Sequence, residues 1–326
     1  MDRYDAFILD QFGVMHNGLN GLDGAAALVE HLAQKKKKLI ILSNTSAPAA
    51  KALERLPKFG FASEHFVDAV TSGEEASRYI LQEYGNTDRP QKALMFTWDT
   101  TIANNPRLTA PPEAFLEQCG NVQVATSVED ADFLLLHGSE VWYQGRDHDE
   151  GSDESSKVVS LLPYIEEGDF TNVDPILKAC LEAGLPAVCA NPDFIVQMPS
   201  GDGVAYMPGK IAQRYTDHFG GTCLTFGKPQ VEHFLACLRK LGYDQDKSGI
   251  KDLRVAHVGD SLHHDIVGAT QAGIPTVFIT SGIHKAALGT QFGELPSEEA
   301  LEQLYETELA DHPSIRPTHV VPAFRL

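Results

Sequence analysis

The sequence predicts an α/β protein: a doubly wound, Rossmann-type parallel sheet interrupted by an inserted α/β domain. Three observations carry this. Short apolar runs recur at Ala6-Phe7-Ile8-Leu9, Leu39-Ile40-Ile41-Leu42 and Val255 to Val258, the signature of strands buried on both faces. Helically spaced segments alternate with them, as parallel sheets require. The rhythm breaks near Tyr84 and resumes after Pro208-Gly209. Residues 1–84 and 208–326 are therefore expected to build one core, and residues 85–207 to form a separate domain. At 326 residues the chain is also longer than a single core usually grows.

Each element has a local reason. After the first strand, Ala25, Leu28, Val29 and Leu32 fall on one helical face. Ser46 reads as an N-cap with Pro48 in the first turn of a helix through Leu53 and Leu56. Ser72-Gly73-Glu74-Glu75 reads as a capping box. The polar stretch Asn86-Thr87-Asp88-Arg89-Pro90 reads as a linker into fresh strands at Ala93 to Phe96 and Phe133 to Leu136. Gln144 to Ser156 is acidic and nearly free of hydrophobes, as a surface loop would be. Asp174-Pro175 opens a helix that stops at Gly184, and a strand follows from Pro186 to Ala190. Beyond Pro208 come a helix to His218, a strand from Thr222 to Phe226 and a helix from Pro229 to Leu241. The strand Val255 to Val258, a helix through Ile266 and Ala269, and the strand Thr276 to Ile279 complete the series. No internal repeat interrupts it.

Composition excludes several function classes. The net charge of −19, from 26 basic and 45 acidic residues, would repel nucleic acid, and no basic stripe overrides it. The run Lys35 to Lys38 suits a helix end, where cations meet the negative pole of the dipole. No apolar run approaches the roughly 20 residues that cross a bilayer, so no membrane role is expected. The polar opening Met1 to Asp5 leads directly into a strand, leaving no room for a leader peptide. Five scattered cysteines without C-x-x-C spacing fit buried, reduced thiols in a cytoplasmic setting.

In open parallel sheets, ligands bind beyond the carboxyl ends of the strands. The residues there are Asp10; Ser43-Asn44; Gly227-Lys228-Pro229 after Leu224 to Phe226; and Gly259-Asp260-Ser261, with Asp265 five residues beyond Asp260. Carboxylates with a ligand's own phosphate are what Mg²⁺ prefers. A serine hydroxyl and a lysine ammonium can hold phosphoryl oxygens as charge redistributes. A carboxylate so placed can itself be the nucleophile. Taken singly each residue has a bland reading as a cap or turn; their conjunction at strand ends points to a magnesium-and-phosphate site.

These four segments resemble the four motifs of the haloacid dehalogenase-like (HAD) hydrolases. Motif one is Asp10-Gln11-Phe12-Gly13-Val14, motif two Ser43-Asn44, motif three Lys228, and motif four Gly259-Asp260-Ser261 through Asp265. About 33 residues separate Asp10 from Ser43 and about 185 separate Ser43 from Lys228. A cap between motifs two and three resembles the class II branch. Asn191-Pro192-Asp193 and Gly227-Lys228-Pro229 resemble subclass IIA, which contains 4-nitrophenylphosphatase-like, phosphoglycolate and pyridoxal phosphate phosphatases. The resemblance implies Asp10 as nucleophile and metal ligand, Asp260 as metal ligand and Asp265 as its support, direct or through water. It implies Ser43, Asn44 and Lys228 as holders of the phosphoryl group, and the Phe12 carbonyl as a further ligand of Mg²⁺. Asp193 reads equally as a loop turn around Pro192 or as a cap–core contact to substrate. A small phosphorylated metabolite is the implied partner, and by analogy alone the cap admits a homodimer.

One position departs from the pattern. Phosphatases of this family carry a second Asp two residues after the nucleophile, where this chain has Phe12. Loss of a positioned acid/base typically costs 10² to 10⁴ in rate. His16, His263 and His264 are the nearby substitutes. Three readings stay open: a slow or specialised magnesium phosphohydrolase, a phosphate-binding or regulatory protein with little turnover, and a 2-haloacid dehalogenase. The last has no use for Asp260 and Asp265.

Overall fold

The computed structural model describes the chain apart from residues 1–2, 104, 106, 109, 147–155, 199–202 and 244–253. Its strands fall in chain order into two large sheets and a hairpin. β1 (Ala6–Leu9), β2 (Lys38–Ser43) and β3 (Phe66–Thr71) open the first sheet. The second is built from β4 (Gln91–Thr97), β5 (Val122–Val124), β6 (Phe133–Leu136), β7 (Val141–Arg146), β8 (Ser156–Ser160) and β9 (Ala187–Cys189). The hairpin β10 (Ile195–Gln197) and β11 (Val204–Tyr206) follows, and then β12 (Cys223–Thr225). β13 (Val255–Gly259), β14 (Thr276–Ile279) and β15 (His319–Val321) complete the first sheet.

The first sheet runs β15-β14-β13-β1-β2-β3, every pair parallel. The chain thus starts in the middle, builds outward to one edge, and later builds outward to the other. Side-chain alternation splits each strand between two cores. Phe7, Leu9, Leu39 and Ile41 pack on one face with Leu28, Val29 and Leu32 of the helix Ala25–Gln34. Ala6, Ile8, Ile40 and Leu42 pack on the other with Phe234, Cys237 and Leu238 of the helix Val231–Lys240. Each large side chain buried this way is worth about 1.5–3 kcal/mol. The doubly wound expectation therefore holds in its topology.

The second sheet has the order β12-β9-β6-β4-β7-β8, with β5 beside β4. It is parallel around β4, β6, β9 and β12 and antiparallel at β7 and β8. Its strands split likewise: Leu94, Phe96, Leu134 and Leu136 on one face, Ala93, Met95, Phe133 and Leu135 on the other.

Here the structure differs from the sequence expectations. β12 pairs with β9, not with the first sheet, and Ile211, Ala212 and Tyr215 pack with Leu177 and Leu185 of the second core. The helix Ser72–Ile80 packs Ala76 and Ile80 there as well. Elements between residues 72 and 226 thus contribute to the second sheet and its cores, on both sides of the expected 85–207. The strand 222–226 was expected in the first core because its alternation with helices is the same in either sheet. Ser46 does not cap: the helix is Ala49–Glu54 with Pro48 at the N-cap. The capping box sits one residue earlier than read, with Thr71 Oγ1 accepting from Glu74 N at 3.3 Å. Glu74 Oε2 instead accepts from Ala49 N, at 2.9 Å, and so serves the neighbouring helix. Gln144 to Arg146 and Ser156 are strand rather than loop; the rest of that stretch lies outside the described residues. Cys119, Cys180, Cys189 and Cys237 are buried, Cys223 is half-buried, and all five are unpaired. Among the described residues no helix is long and apolar enough to cross a membrane.

Candidate active site

The site sits where the strand order reverses, at the carboxyl ends of β1, β2 and β13. Asp10 N donates to Val258 O at 2.9 Å, extending the β1–β13 ladder one residue past the strand and fixing where the carboxylate stands. Ser43 is the last residue of β2, and Asn44 follows it. Asp260 follows β13. Gly13 holds φ +80°, and a Cβ there would collide with Asp260 Oδ2, so the backbone after Asp10 runs directly against that carboxylate.

Lys228 arrives differently from what the sequence suggested. It follows a strand of the second sheet, so three ends of the first sheet, not four strand ends of one sheet, meet a returning segment. Asn44 makes that return possible. Its Oδ1 accepts from Lys228 N at 2.7 Å, while its Nδ2 donates to Lys228 O at 3.2 Å and to Asp193 Oδ1 at 2.7 Å. Gly227, at φ +111°, leaves room for this amide; any Cβ would press on Asn44 Oδ1. Ser72 Oγ joins the sheets a second time, donating to Ala190 O at 2.7 Å, with Thr45 O at 3.0 Å as its other acceptor.

The Lys228 ammonium lies 2.6 Å from Asp10 Oδ1 and 2.7 Å from Asp265 Oδ1, only 3% exposed. Asp265 is fully engaged: Oδ1 also meets His257 Nε2 at 2.8 Å, and Oδ2 accepts from Ser261 N at 3.0 Å. Asp260 Oδ2 accepts from Ile283 N at 2.8 Å. Oxygens of Asp10, Asp260 and Asp265 lie within 4.8 Å of one another. Asp10 and Asp265 thus share one ammonium, and the Asp260 carboxylate lies within 4.8 Å of both of theirs.

The electrostatics follow from that imbalance. Burial pushes the Asp10 carboxyl up to about 7, with Lys228 pulling against it and Asp265 adding to the rise. Burial, then the charges of Asp10 and Asp265, raise Asp260 well above its ordinary range. Burial also opposes ionisation of Asp265, but Lys228 and His257 outweigh it and hold that carboxyl below the usual range. Burial disfavours the Lys228 charge, yet Asp10 and Asp265 more than compensate and raise it. A dication is what the excess of buried negative charge calls for, and the donor set is all-oxygen, so the residues fit magnesium.

A cavity of about 460 Å³ opens beside this cluster, bordered by Gln11, Phe12, Ser43, Asn191 and Asp193. Trp98, Val196, Met198 and Met207 of the second unit face it, together with Arg55 and Phe59 of the first. Of the three histidines named as substitute acids, His16 borders this cavity. His263 and His264 instead line a separate one of about 280 Å³. His16 Nδ1 accepts from Gly18 N at 3.1 Å, and its ring stacks on Phe59 with centroids 4.0 Å apart. Burial and then Arg55 push its pKa down to about 3, so the ring is neutral near neutral pH.

Sequence reasoning passed over His257 and Arg55. A histidine inside the apolar strand Val255–Gly259 was the available signal for the first. For Arg55 there was none, since a surface arginine reads identically.

The chain resembles known proteins over most of its length. The family profile described as haloacid dehalogenase-like hydrolase matches residues 7–104, and the profile described as HAD-hydrolase-like matches residues 225–325. An acid sugar phosphatase of Staphylococcus epidermidis is 21% identical over 284 residues, covering 87% of this chain and 89% of that protein. A haloacid dehalogenase-like hydrolase from Brucella suis has a similar structure: TM-score 0.68, 21% identity, 98% of this chain and 95% of that one. A possible sugar phosphatase from Cytophaga hutchinsonii follows at TM-score 0.64 and 18% identity, covering 100% and 95%. The two profiles bracket the first sheet from β1 to β15 and contain Asp10, Ser43, Lys228, Asp260 and Asp265, and the chain belongs to the haloacid dehalogenase-like hydrolases.

Proposed function

We propose that this chain is a phosphoric monoester hydrolase that turns over a small phosphorylated metabolite through a phosphoryl-Asp10 intermediate. The observation that carries the reading is the 2.6 Å pair between Asp10 and a buried Lys228, set beside a cavity that Ser43 also borders. Residues 72–226 act as the cap over the strand ends, and Asn44 and Asp193 form the seam. The names of the staphylococcal acid sugar phosphatases support a sugar phosphate as one substrate candidate.

Asp10 and Asp260, with the Phe12 carbonyl, would hold Mg²⁺, while Asp265, whose oxygens are engaged, positions Lys228. When bound, the ion supplies the positive charge that offsets repulsion between carboxylates and a phosphate dianion. An Asp10 oxygen attacks phosphorus, the ester P–O bond breaks, and its electron pair leaves with the alcohol oxygen. Water then attacks the phosphoryl group, the bond to Asp10 breaks, and inorganic phosphate departs with the carboxylate restored. Ser43 and Lys228 hold the non-bridging oxygens through both steps. Phe12 offers no proton, so the leaving oxygen takes one from solvent, and stable leaving anions are favoured.

A panel of phosphate esters assayed with and without Mg²⁺, beside Asp10→Asn, tests this. Magnesium-dependent phosphate release that Asp10→Asn abolishes is expected. No release from any ester would favour the second reading, a phosphate-binding or regulatory protein. Phe12 and the neutral His16 are the observations behind that reading. Chloride release from 2-chloropropionate would favour a dehalogenase instead.

A further inference from the structure

We infer that the substrate's leaving group carries a second anionic group, received by Arg55 in the large cavity. The inference rests on the phosphatase reading and names the substrate class it serves: phosphate monoesters with a further carboxylate or phosphate on an apolar or ring-shaped body.

Two guanidinium groups border the cavity, one from each unit. Arg107, from the second, is already neutralised: Nη1 donates to Glu140 Oε1 at 2.9 Å. Glu140 is itself fixed by Asp99 N at 2.7 Å and Asn105 Nδ2 at 2.6 Å, both on Oε2. Arg55, at the C-cap of the helix Ala49–Glu54, has no such arrangement. Among the described residues its side chain has neither a hydrogen bond nor a carboxylate partner. Its guanidinium lies over the Phe59 ring, 5.8 Å from Cζ to centroid, a cation–π pair. Burial lowers its pKa, and no carboxylate acts against that.

In a chain with 45 acidic residues, a half-buried arginine without an acid is conspicuous. Withdrawing a charge from water without a partner is unfavourable, and the cheapest remedy is an anion that arrives with the ligand. A guanidinium suits carboxylate and phosphate alike, because its planar fork meets two oxygens at once. Phe12, Phe59 and Trp98 border the same space, so a ring or short apolar body can occupy the distance between phosphoryl group and second anion. About 460 Å³ is ample for such a body and small for a polymer. Phe12 acquires a reason here. An Asp at that position would add negative charge to the wall of this cavity and repel an anionic leaving group, and phenylalanine does not.

The test uses three matched esters, phenyl phosphate, 4-carboxyphenyl phosphate and 1,4-phenylene bisphosphate, with the full-length wild type, Arg55→Gln and Arg55→Lys. Because the added anion also changes the leaving group, the comparison is made in KM. We expect wild type to favour one or both charged esters by about tenfold, the preferred one telling carboxylate from phosphate. Arg55→Gln should bring the ratio near one and Arg55→Lys should restore part of it. Equal KM for charged and neutral esters in the wild type, or a preference that survives Arg55→Gln, overturns the inference. Calorimetry with 4-carboxyphenylphosphonate against phenylphosphonate separates it from the reading beneath it. If no ester turns over but the charged phosphonate binds more tightly through Arg55, the anion site stands and the hydrolase reading falls. If esters turn over and neither assay shows a charge preference, the hydrolase stands and the anion site falls.

Discussion

The two sheets are made from interchangeable strands, and they end in opposite chemistry. Ala6–Leu9 of one and Phe133–Leu136 of the other are both four residues, buried throughout and parallel to their neighbours. At the carboxyl ends of its strands the first sheet presents Asp10, Ser43 and Asp260, whereas the second presents Trp98, His137 and Ala190. In the first, three carboxylates crowd together and two of them share one ammonium. In the second, ionisable groups are silenced. Burial pushes His137 down to about 3, where it stays neutral against Thr97 Oγ1 at 2.9 Å, and Glu140 is matched by Arg107. A buried apolar strand is thus a neutral support, and the residue one step beyond it decides whether a sheet reacts or merely encloses. The first sheet keeps an electrostatic debt that protons or a bound cation can settle.

The sharpest way to break that contrast is at Lys228. Lys228→Met should lower kcat by about 10² to 10³, the usual worth of one preorganised donor in a dry site. It should also weaken vanadate binding in the presence of Mg²⁺. Retained kcat and vanadate affinity would reduce Lys228 to a packing residue. Next comes Phe12→Asp, which should raise kcat on esters with poor, uncharged leaving groups by about 10². For 4-nitrophenyl phosphate, which departs with little help, the gain should be smaller. No gain in a variant that still binds Mg²⁺ and phosphate would place the protein with the binders. Magnesium affinity, read by calorimetry, should fall about tenfold further in Asp260→Ala than in Asp265→Ala, because Asp265 has no free oxygen. Equal losses would make Asp265 a direct ligand.

The enclosing sheet should respond in stability instead. Glu140→Gln should cost about 1–3 kcal/mol in denaturant unfolding, since it weakens a buried acceptor of three donors. A loss of activity without that destabilisation would reverse the assignment of roles. The smallest effect concerns Asp260→Asn in metal-free protein. The folded-state pKa of Asp260 lies above its ordinary value. Its contribution is therefore intact below the ordinary carboxylate range and is lost as pH rises through the folded value. The variant escapes that loss, so its melting temperature should exceed that of wild type by a few degrees, about what 1 kcal/mol gives, with a gap that widens as pH rises above the ordinary carboxylate range. A gap that shrinks with rising pH would mean that Asp260 is not held under repulsion.

Much of this was legible in the sequence because burial on both faces leaves a plain apolar run, and Asp10, Ser43 and Asp260 come directly after such runs. β3 was not read, since the half-buried Asp68 interrupts Phe66-Val67 and Ala69-Val70. The partner sheet of β12 could not be read, because Cys223-Leu224-Thr225 has the same pattern wherever it pairs. Lys228 was singled out as following a strand of the first core, but that strand belongs to the other sheet. Arg55 stayed hidden because what marks it is the lack of a neighbour, and sequence records only residues that are present.

Asn44 and Lys228 lie 184 positions apart, and this separation bears on the chain as it is being made. β1 and β2 emerge early and can pair at once, yet the other edge of β1 waits for Val255 to Val258. Until then the apolar run Ala6–Leu9 offers an open row of backbone donors and acceptors to any passing strand, and Asp10 lacks the ladder bond to Val258 that fixes its place. The whole second unit must be synthesised within that interval. Distant pairings of this kind close slowly, so a polypeptide truncated before residue 255 would carry the start of the site on an unsealed sheet, and its expected fate is aggregation or degradation.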